Sequence, residues 1–237
     1  MIRSLFFLIC VSRLSASTIT TPKCKLNDNA CVNELANTIF QKAIAGDAEL
    51  GMEKLSPLHQ EKIEGDLSVI KYTLQNTSCY GFEKCKVKNL EYTPGSLKIL
   101  ALLQCPELVL KGHYEIDGQL IVLPIQGKGL YELTSSNYDI ALDCDTKKTT
   151  GNDGKTYATI RQYSIAPVLR GSMDFMLENL FNGREDLAAP VRKFMKENYK
   201  EVAELLQGPV FSANIKKIVK NLNKVLKTSP IEDVIDS

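Results

Sequence analysis

Residues 190–228 read PVRKFMKENYKEVAELLQGPVFSANIKKIVKNLNKVLKT, and this stretch decides the fold. Val191, Phe194, Met195, Val202, Leu205 and Leu206 recur at three- and four-residue spacing. The stripe resumes at Phe211, Ile215, Ile218, Val219, Leu222, Val225 and Leu226. Such a pattern is one face of an amphipathic helix. Pro190 suits a first helical turn, and Glu185 and Asp186 at its opening complement the helix dipole. Gly208-Pro209 is expected to kink the helix, and Ser229-Pro230 to end it. At 1.5 Å per residue the segment would form a rod roughly 60 Å long if continuous. A rod of that length cannot hide inside a compact sphere. It needs a sheet wrapped along it.

The preceding sequence supplies one. From Leu67 to about Ile165 the apolar period is two. Ile70, Tyr72 and Leu74 alternate with Lys71, Thr73 and Gln75. Leu108, Leu110, Tyr114 and Ile116 alternate with Lys111, His113 and Glu115, and Tyr138, Ile140 and Leu142 with Asp139 and Asp143. Turns are expected at Pro94-Gly95, Asp117-Gly118, Gly127-Lys128-Gly129 and Gly151-Asn152-Asp153-Gly154, with Asp117-Gly118 a hairpin. The result is an antiparallel meander of six or more strands. Upstream, Val32, Leu35, Ala36, Ile39, Phe40 and Ala43 predict a helix over residues 31–45 that stops at Gly46, followed by a loop carrying Pro57 and His59. No linker or internal repeat divides residues 18–237. The fold class is α+β, a single elongated domain.

Length and composition bound the function. The chain has 237 residues, 44% apolar and 24% charged, with a formal charge of +1. This is too apolar for a disordered chain and too balanced for a nucleic-acid binder, which needs a strong basic field. Residues 1–17, MIRSLFFLICVSRLSAS, have the layout of a secretory signal peptide: Arg3, a short apolar core from Leu5 to Val11, and small residues at Ser15-Ala16-Ser17. That core is too short for a bilayer, which takes about 20 residues. Loss of the leader removes Arg3 and Arg13, leaving 27 basic against 28 acidic residues and a net charge of −1. It also removes Cys10, leaving Cys24, Cys31, Cys79, Cys85, Cys105 and Cys144. An even set in an oxidising compartment argues for disulfides. Spacing suggests Cys24 with Cys31, and Cys79 with Cys85 across the turn at Tyr80-Gly81-Phe82. Cys105 and Cys144 would then form a long-range pair. No C-x2-C spacing or histidine cluster supports zinc. Asn76-Thr77-Ser78 is a glycosylation sequon.

Catalytic motifs are missing. No G-x-S-x-G elbow is present. Gly154-Lys155-Thr156 echoes a phosphate loop, but Thr149 stands where its first glycine should be, and Gly127-Lys128-Gly129 lacks a third glycine. His113 lies on the polar side of a strand and His59 has no recognisable partner. Lys216, Lys217, Lys220, Lys224 and Lys227 interleave with the last apolar stripe. The plain reading is a solvated helix face; the sharper one is a basic strip that touches anionic membranes.

Three elements carry a family resemblance: the early pair Cys24…Cys31, the segment LKGHYEIDGQLIVLPIQGKG at 110–129, and LENLFNGREDLAAPVRKFMKENYKEV at 177–202. On these the chain resembles insect juvenile-hormone-binding and Takeout-like proteins over essentially its whole length beyond the leader. It departs at Tyr199, where many members have tryptophan, and in having four cysteines beyond the N-terminal pair. The resemblance implies a secreted, non-enzymatic carrier of a small lipophilic ligand, such as a juvenile-hormone-like terpenoid or a fatty acid. It also implies a strongly curved antiparallel sheet wrapped around the long C-terminal helix, enclosing an apolar tunnel. Neither cofactor, metal nor nucleic acid is expected. The chain is expected to act as a monomer, with a transient membrane or receptor contact. From the strands, Ile70, Tyr72, Leu74, Leu108, Leu110, Tyr114, Ile116, Tyr138, Ile140 and Leu142 are candidates for the lining. From beside and along the helix, Phe175, Phe194, Leu205, Phe211 and Ile215 join them. Each also fits plain core packing, and the tyrosine hydroxyls suit an ester, epoxide or carbonyl oxygen.

Overall fold

The computed structural model describes residues 22–93 and 95–236; the expected leader, residues 1–17, and Pro94 of the expected Pro94-Gly95 turn lie outside them. The chain begins with β1 (Cys24–Lys25) and α1 (Asn29–Ala45). The antiparallel strands β2 (Leu58–Asp66), β3 (Ile70–Tyr80), β4 (Lys86–Thr93), β5 (Lys98–Leu120), β6 (Leu123–Thr150), β7 (Thr156–Leu169) and β8 (Met173–Leu177) follow. The helices α2 (Glu185–Glu197), α3 (Tyr199–Leu226) and α4 (Ile231–Val234) and the strand β9 (Ile235–Asp236) complete it. The α1 start is fixed by Asp28, whose carboxylate accepts from the Cys31 amide, and its end by Gly46 at φ 75°.

β5 and β6, of 23 and 28 residues, pair along their full length and form the spine of the sheet. Along its other edge β5 meets β4 near its start and β3 near its end; β6 meets β8 near its start and β7 near its end. The order β2-β3-β5-β6-β7 puts β2 and β7 on opposite edges. Both edges nevertheless reach α3. Gln60 of β2 donates to the Ala213 carbonyl, and Asn223 both donates to and accepts from the Ile160 backbone of β7. A sheet whose two edges bond to one helix is curved around it. The α+β architecture read from the sequence is therefore the one observed.

Several local expectations are corrected. The β5–β6 turn is at Ile121-Val122, with Leu120 facing Leu123, and not at Asp117-Gly118. Gly118 lies inside β5 at φ 133°, where a Cβ would meet the Val69 carbonyl at 2.4 Å. It is glycine because the neighbouring hairpin approaches closely. Gly127-Lys128-Gly129 lies within β6, opposite Ile116, Glu115 and Tyr114. The expected turn between β6 and β7 does occur, at 151–155.

α2 starts five residues before Pro190, with Glu185 and Asp186 in its first turn. Helical structure continues through Pro209, and the break falls at Asn198 instead (φ −119°, ψ 36°). Proline removes one donor from the ladder, and the buried stripe that resumes at Phe211 holds the helix together on either side. His59 is in β2, not a loop, with Ser78 Oγ 3.0 Å from its Nδ1.

The disulfides are Cys24–Cys31, as spacing suggested, and Cys85–Cys105; Cys79 and Cys144 are free and buried. The expected pairs Cys79–Cys85 and Cys105–Cys144 do not form. Lys86 faces Gln104 in the β4–β5 ladder, which makes Cys85 and Cys105 the next opposed residues, with Cα atoms 4.2 Å apart. Cys105 faces Tyr138 and Cys144 faces Ile99. Cys105 and Cys144 are thus six ladder positions apart, roughly 20 Å, far beyond disulfide reach.

Candidate functional site

The inward faces of β3, β5 and β6 and the buried stripe of α3 converge on one core, and they do not fill it. Two adjoining cavities remain between sheet and helix, each of about 50 Å³. Leu133, Phe175, Leu206 and Val210 line both and form the partition.

The first cavity is walled by Tyr72 and Leu74 of β3, by Tyr114, Ile116 and Leu120 of β5, and by Ile125 and Tyr131 of β6. Leu177 of β8 and Met195 of α2 close it. The second is walled by Cys79, Phe82, Leu108, Leu110, Ser135, Tyr138 and Met173, and on α3 by Ala203, Gln207, Phe211 and Asn214. Neither wall carries a charged side chain.

Of the fifteen expected lining residues, Tyr72, Leu74, Leu108, Leu110, Tyr114, Ile116, Tyr138, Phe175 and Phe211 reach a cavity wall. Ile70, Ile140, Leu142, Phe194, Leu205 and Ile215 do not; they pack as core around it. The wall residues the sequence reading missed include Ala203, Leu206, Gln207, Val210 and Asn214 on α3 and a group on the first half of β6. Ile125, Tyr131, Leu133 and Ser135 keep the period of two, but reading Gly127-Lys128-Gly129 as a turn hid the run. The two glycines have a different cause. A Cβ at Gly127 would meet the Tyr114 hydroxyl at 2.8 Å, and one at Gly129 the Glu178 carbonyl at 2.7 Å. They clear the space in which the Tyr114 hydroxyl donates to the Glu178 carbonyl, at 2.6 Å.

The other tyrosine hydroxyls at the walls are likewise engaged by the protein. Tyr72 donates to the Leu206 carbonyl at 2.6 Å, and its ring lies over Gly65. Tyr131 shares a 2.8 Å bond with Thr77 Oγ1, and Tyr138 donates to Gln207 Oε1 at 3.1 Å. Each of these hydroxyls is thus paired within the protein and fastens one wall to a neighbouring segment. Burial pushes Tyr114, Tyr131 and Tyr138 up to about 12, and Tyr72 further still, so all four are neutral phenols. The buried Cys79 thiol is raised to about 12 by desolvation, which makes it a wall residue and not a nucleophile.

On the outer face, Lys217 binds Glu53 and the His59 carbonyl, and Lys224 binds the Gly51 carbonyl. Lys216, Lys220 and Lys227 remain exposed. The lysine strip is thus partly consumed by tying α3 to the α1–β2 connection. Among the described residues no helix is long and apolar enough to cross a membrane, and no three His, Cys, Asp or Glu side chains converge as a metal site would need.

The chain is 28% identical over 221 residues to the circadian clock-controlled protein daywake of Drosophila melanogaster, covering 84% of each. It is 25% identical over 229 residues to the Drosophila yakuba protein of the same name, covering 89% of this chain and 85% of that one. The crystal structure of Epiphyas postvittana Takeout 1 superposes with a TM-score of 0.85 at 27% identity, covering 92% of this chain and all of that one. The sequence profile of the haemolymph juvenile hormone binding protein family, JHBP, matches residues 5–236, and the chain belongs to that family.

Proposed function

We propose that the protein is a secreted carrier that holds one small hydrophobic ligand in the chamber formed by the two cavities. The observation that carries this reading is the uncharged, unfilled space between sheet and α3, partitioned by four apolar side chains. A domain that needed only stability would fill such a space, because each missing contact is a loss. Burial of about 15 ligand carbons at about 0.8 kcal/mol each gives about 12 kcal/mol gross. Immobilisation takes back several kcal/mol, which leaves micromolar to nanomolar affinity without an ionic anchor.

Family membership supports the ligand class, juvenile-hormone-like terpenoids or other lipids. It also supports export, for which residues 1–17 would serve as the leader. Asn76 is exposed at the β3 bulge, with φ 49°, and is offered there as a glycan acceptor. No arrangement of nucleophile, base and oxyanion donors in the chamber argues for catalysis.

Native mass spectrometry of protein secreted from eukaryotic cells tests the carrier reading. A chain beginning at Thr18, carrying a lipid released on denaturation, is the expected result. Absence of bound lipid, together with no displacement of a fluorescent probe by juvenile hormone or by long-chain fatty acids, would overturn it.

A further inference from the structure

Two hairpin turns at one end of the sheet carry apolar side chains where a turn favours polar ones. The β5–β6 turn has two central residues, Ile121 and Val122, between the facing pair Leu120 and Leu123. Ile121 stands at φ 59°, the left-handed region that glycine and asparagine adopt readily and a β-branched residue resists. It is 40% exposed, and Val122 63%. The β2–β3 turn repeats the pattern: Ser68 takes φ 68° and Val69 is 52% exposed. The Gln119 amide donates to the Val69 carbonyl at 2.8 Å, so the two turns form one tip. Residues 67–70 and 118–127 hold no charged side chain. The nearest charges along the chain are Asp66 and Lys71, which pair at 3.0 Å, and Asp117 and Lys128, so the rim is neutral overall. Beneath the tip, Leu120 and Ile125 are buried and line the first cavity. Neither stability nor solubility favours Ile-Val in an exposed tight turn, where Asn-Gly serves both better.

Resting on the carrier reading, we infer that this tip docks the protein on a phospholipid surface, with Val69, Ile121 and Val122 entering among the acyl chains while the ligand is exchanged. Area disfavours a protein partner. A stable interface takes about 800 Å² from each side, and three partly exposed side chains on two tight turns fall well short of that. A lipid surface asks only for apolar side chains flanked by groups that stay hydrated. The balanced rim fits zwitterionic headgroups such as phosphatidylcholine and gives no preference for anionic ones, unlike the lysines of α3. Docking in this orientation turns the Leu120–Ile125 end of the first cavity towards the bilayer. That shortens the aqueous step for an insoluble ligand.

The chain contains no tryptophan, so a single introduced indole reports its own position. Val122→Trp at the tip and Val168→Trp, on β7 opposite Asp139 and 39% exposed, are each mixed with vesicles of phosphatidylcholine and of brominated phosphatidylcholine. The indole of Val122→Trp is expected to emit at shorter wavelength and to be quenched by the bromines, and that of Val168→Trp to do neither. In flotation with the same vesicles, the double variant Ile121→Asn, Val122→Gly is expected to bind about ten-fold more weakly than wild type. Its thermal midpoint is retained, because it installs the residues the turn prefers. Added salt leaves wild-type binding unchanged. Equal quenching at both positions, quenching at neither, or full vesicle binding by the double variant overturns the docking site. So does binding that needs anionic lipid and fades with salt, which assigns the contact to the α3 lysines. Self-association without vesicles that the double variant abolishes assigns the tip to a second copy and overturns it too. Displacement of 1-N-phenylnaphthylamine by lipid in the absence of vesicles reads carriage separately. Failure there on wild type overturns the carrier reading and ligand exchange with it, while quenching still decides whether the tip docks.

Discussion

Tyr72 shows what a single side chain does in this molecule. Its alternation with Lys71 and Thr73 marks it as inward-facing, and it is inward-facing. Its hydroxyl, however, ties β3 to the Leu206 carbonyl of α3, across 134 residues of sequence. Tyr72→Phe leaves that carbonyl without this donor and is expected to cost about 1–2 kcal/mol in urea unfolding, with the ring's packing preserved. The phenols also set a pH limit. Their folded pKa values lie above the ordinary value of 10, so the folded state keeps protons that the unfolded state releases. The stability they contribute is fully present below pH 10 and lost as pH rises towards 12, at up to about 1.4 kcal/mol per pH unit for each phenol. The buried thiols Cys79 and Cys144, raised to about 12 and about 11, act in the same direction from pH 9 upward. Unfolding midpoints are therefore expected to fall steeply between pH 9 and 11. Peptide mapping without reduction is expected to find Cys85 joined to Cys105, with Cys79 and Cys144 alkylated only after denaturation.

At the scale of elements, the edges of the sheet are closed by amides. Asn37 of α1 accepts from the Val87 amide and donates to the Val87 carbonyl, both at 2.8 Å, while Asn33 accepts from the Leu90 amide. Asn223 of α3 grips Ile160 in the same way. These side chains imitate a neighbouring strand and leave no open ladder on β4 or β7 at those points. Asn37→Ala is expected to destabilise the protein by about 1–3 kcal/mol, with hydrogen-exchange protection lost first at Val87. The Cys85–Cys105 bridge closes a 20-residue separation on the same edge. Replacing both cysteines by alanine is expected to cost about 3 kcal/mol by loop entropy.

At the scale of the whole molecule, the long helix and the spine strands leave two adjoining cavities between them. If the two cavities form one ligand chamber, filling the shared wall closes both. Val210→Trp is expected to reduce lipid affinity at least ten-fold and to lower the thermal midpoint, because the indole is larger than the space between the walls. Equilibrium displacement and thermal unfolding on the same preparation check both halves of that statement. Of the outer surface, the lysines of α3 offer less than their spacing suggests, since Lys217 and Lys224 bind α3 to the segment before β2.

Periodicity determined that the segment from Pro190 to Leu226 is helical apart from the break at Asn198, and that the strands before it face inward every second residue. Those properties are local, and side-chain alternation repeats within a few residues. Three matters required tertiary structure. The partner of Cys85 depended on a register between distant strands. Gly118, Gly127 and Gly129 resemble turn glycines, yet they are strand residues shaped by what approaches them from another part of the chain. Wall and core residues share one pattern, so Tyr114 and Ile140 read alike, and only the packing of β8 and α3 against the sheet leaves space beside the first and none beside the second. The inward positions of both strands are apolar for the same reason, removal from water; whether another side chain or a cavity then meets them is fixed by volumes brought together from the whole chain.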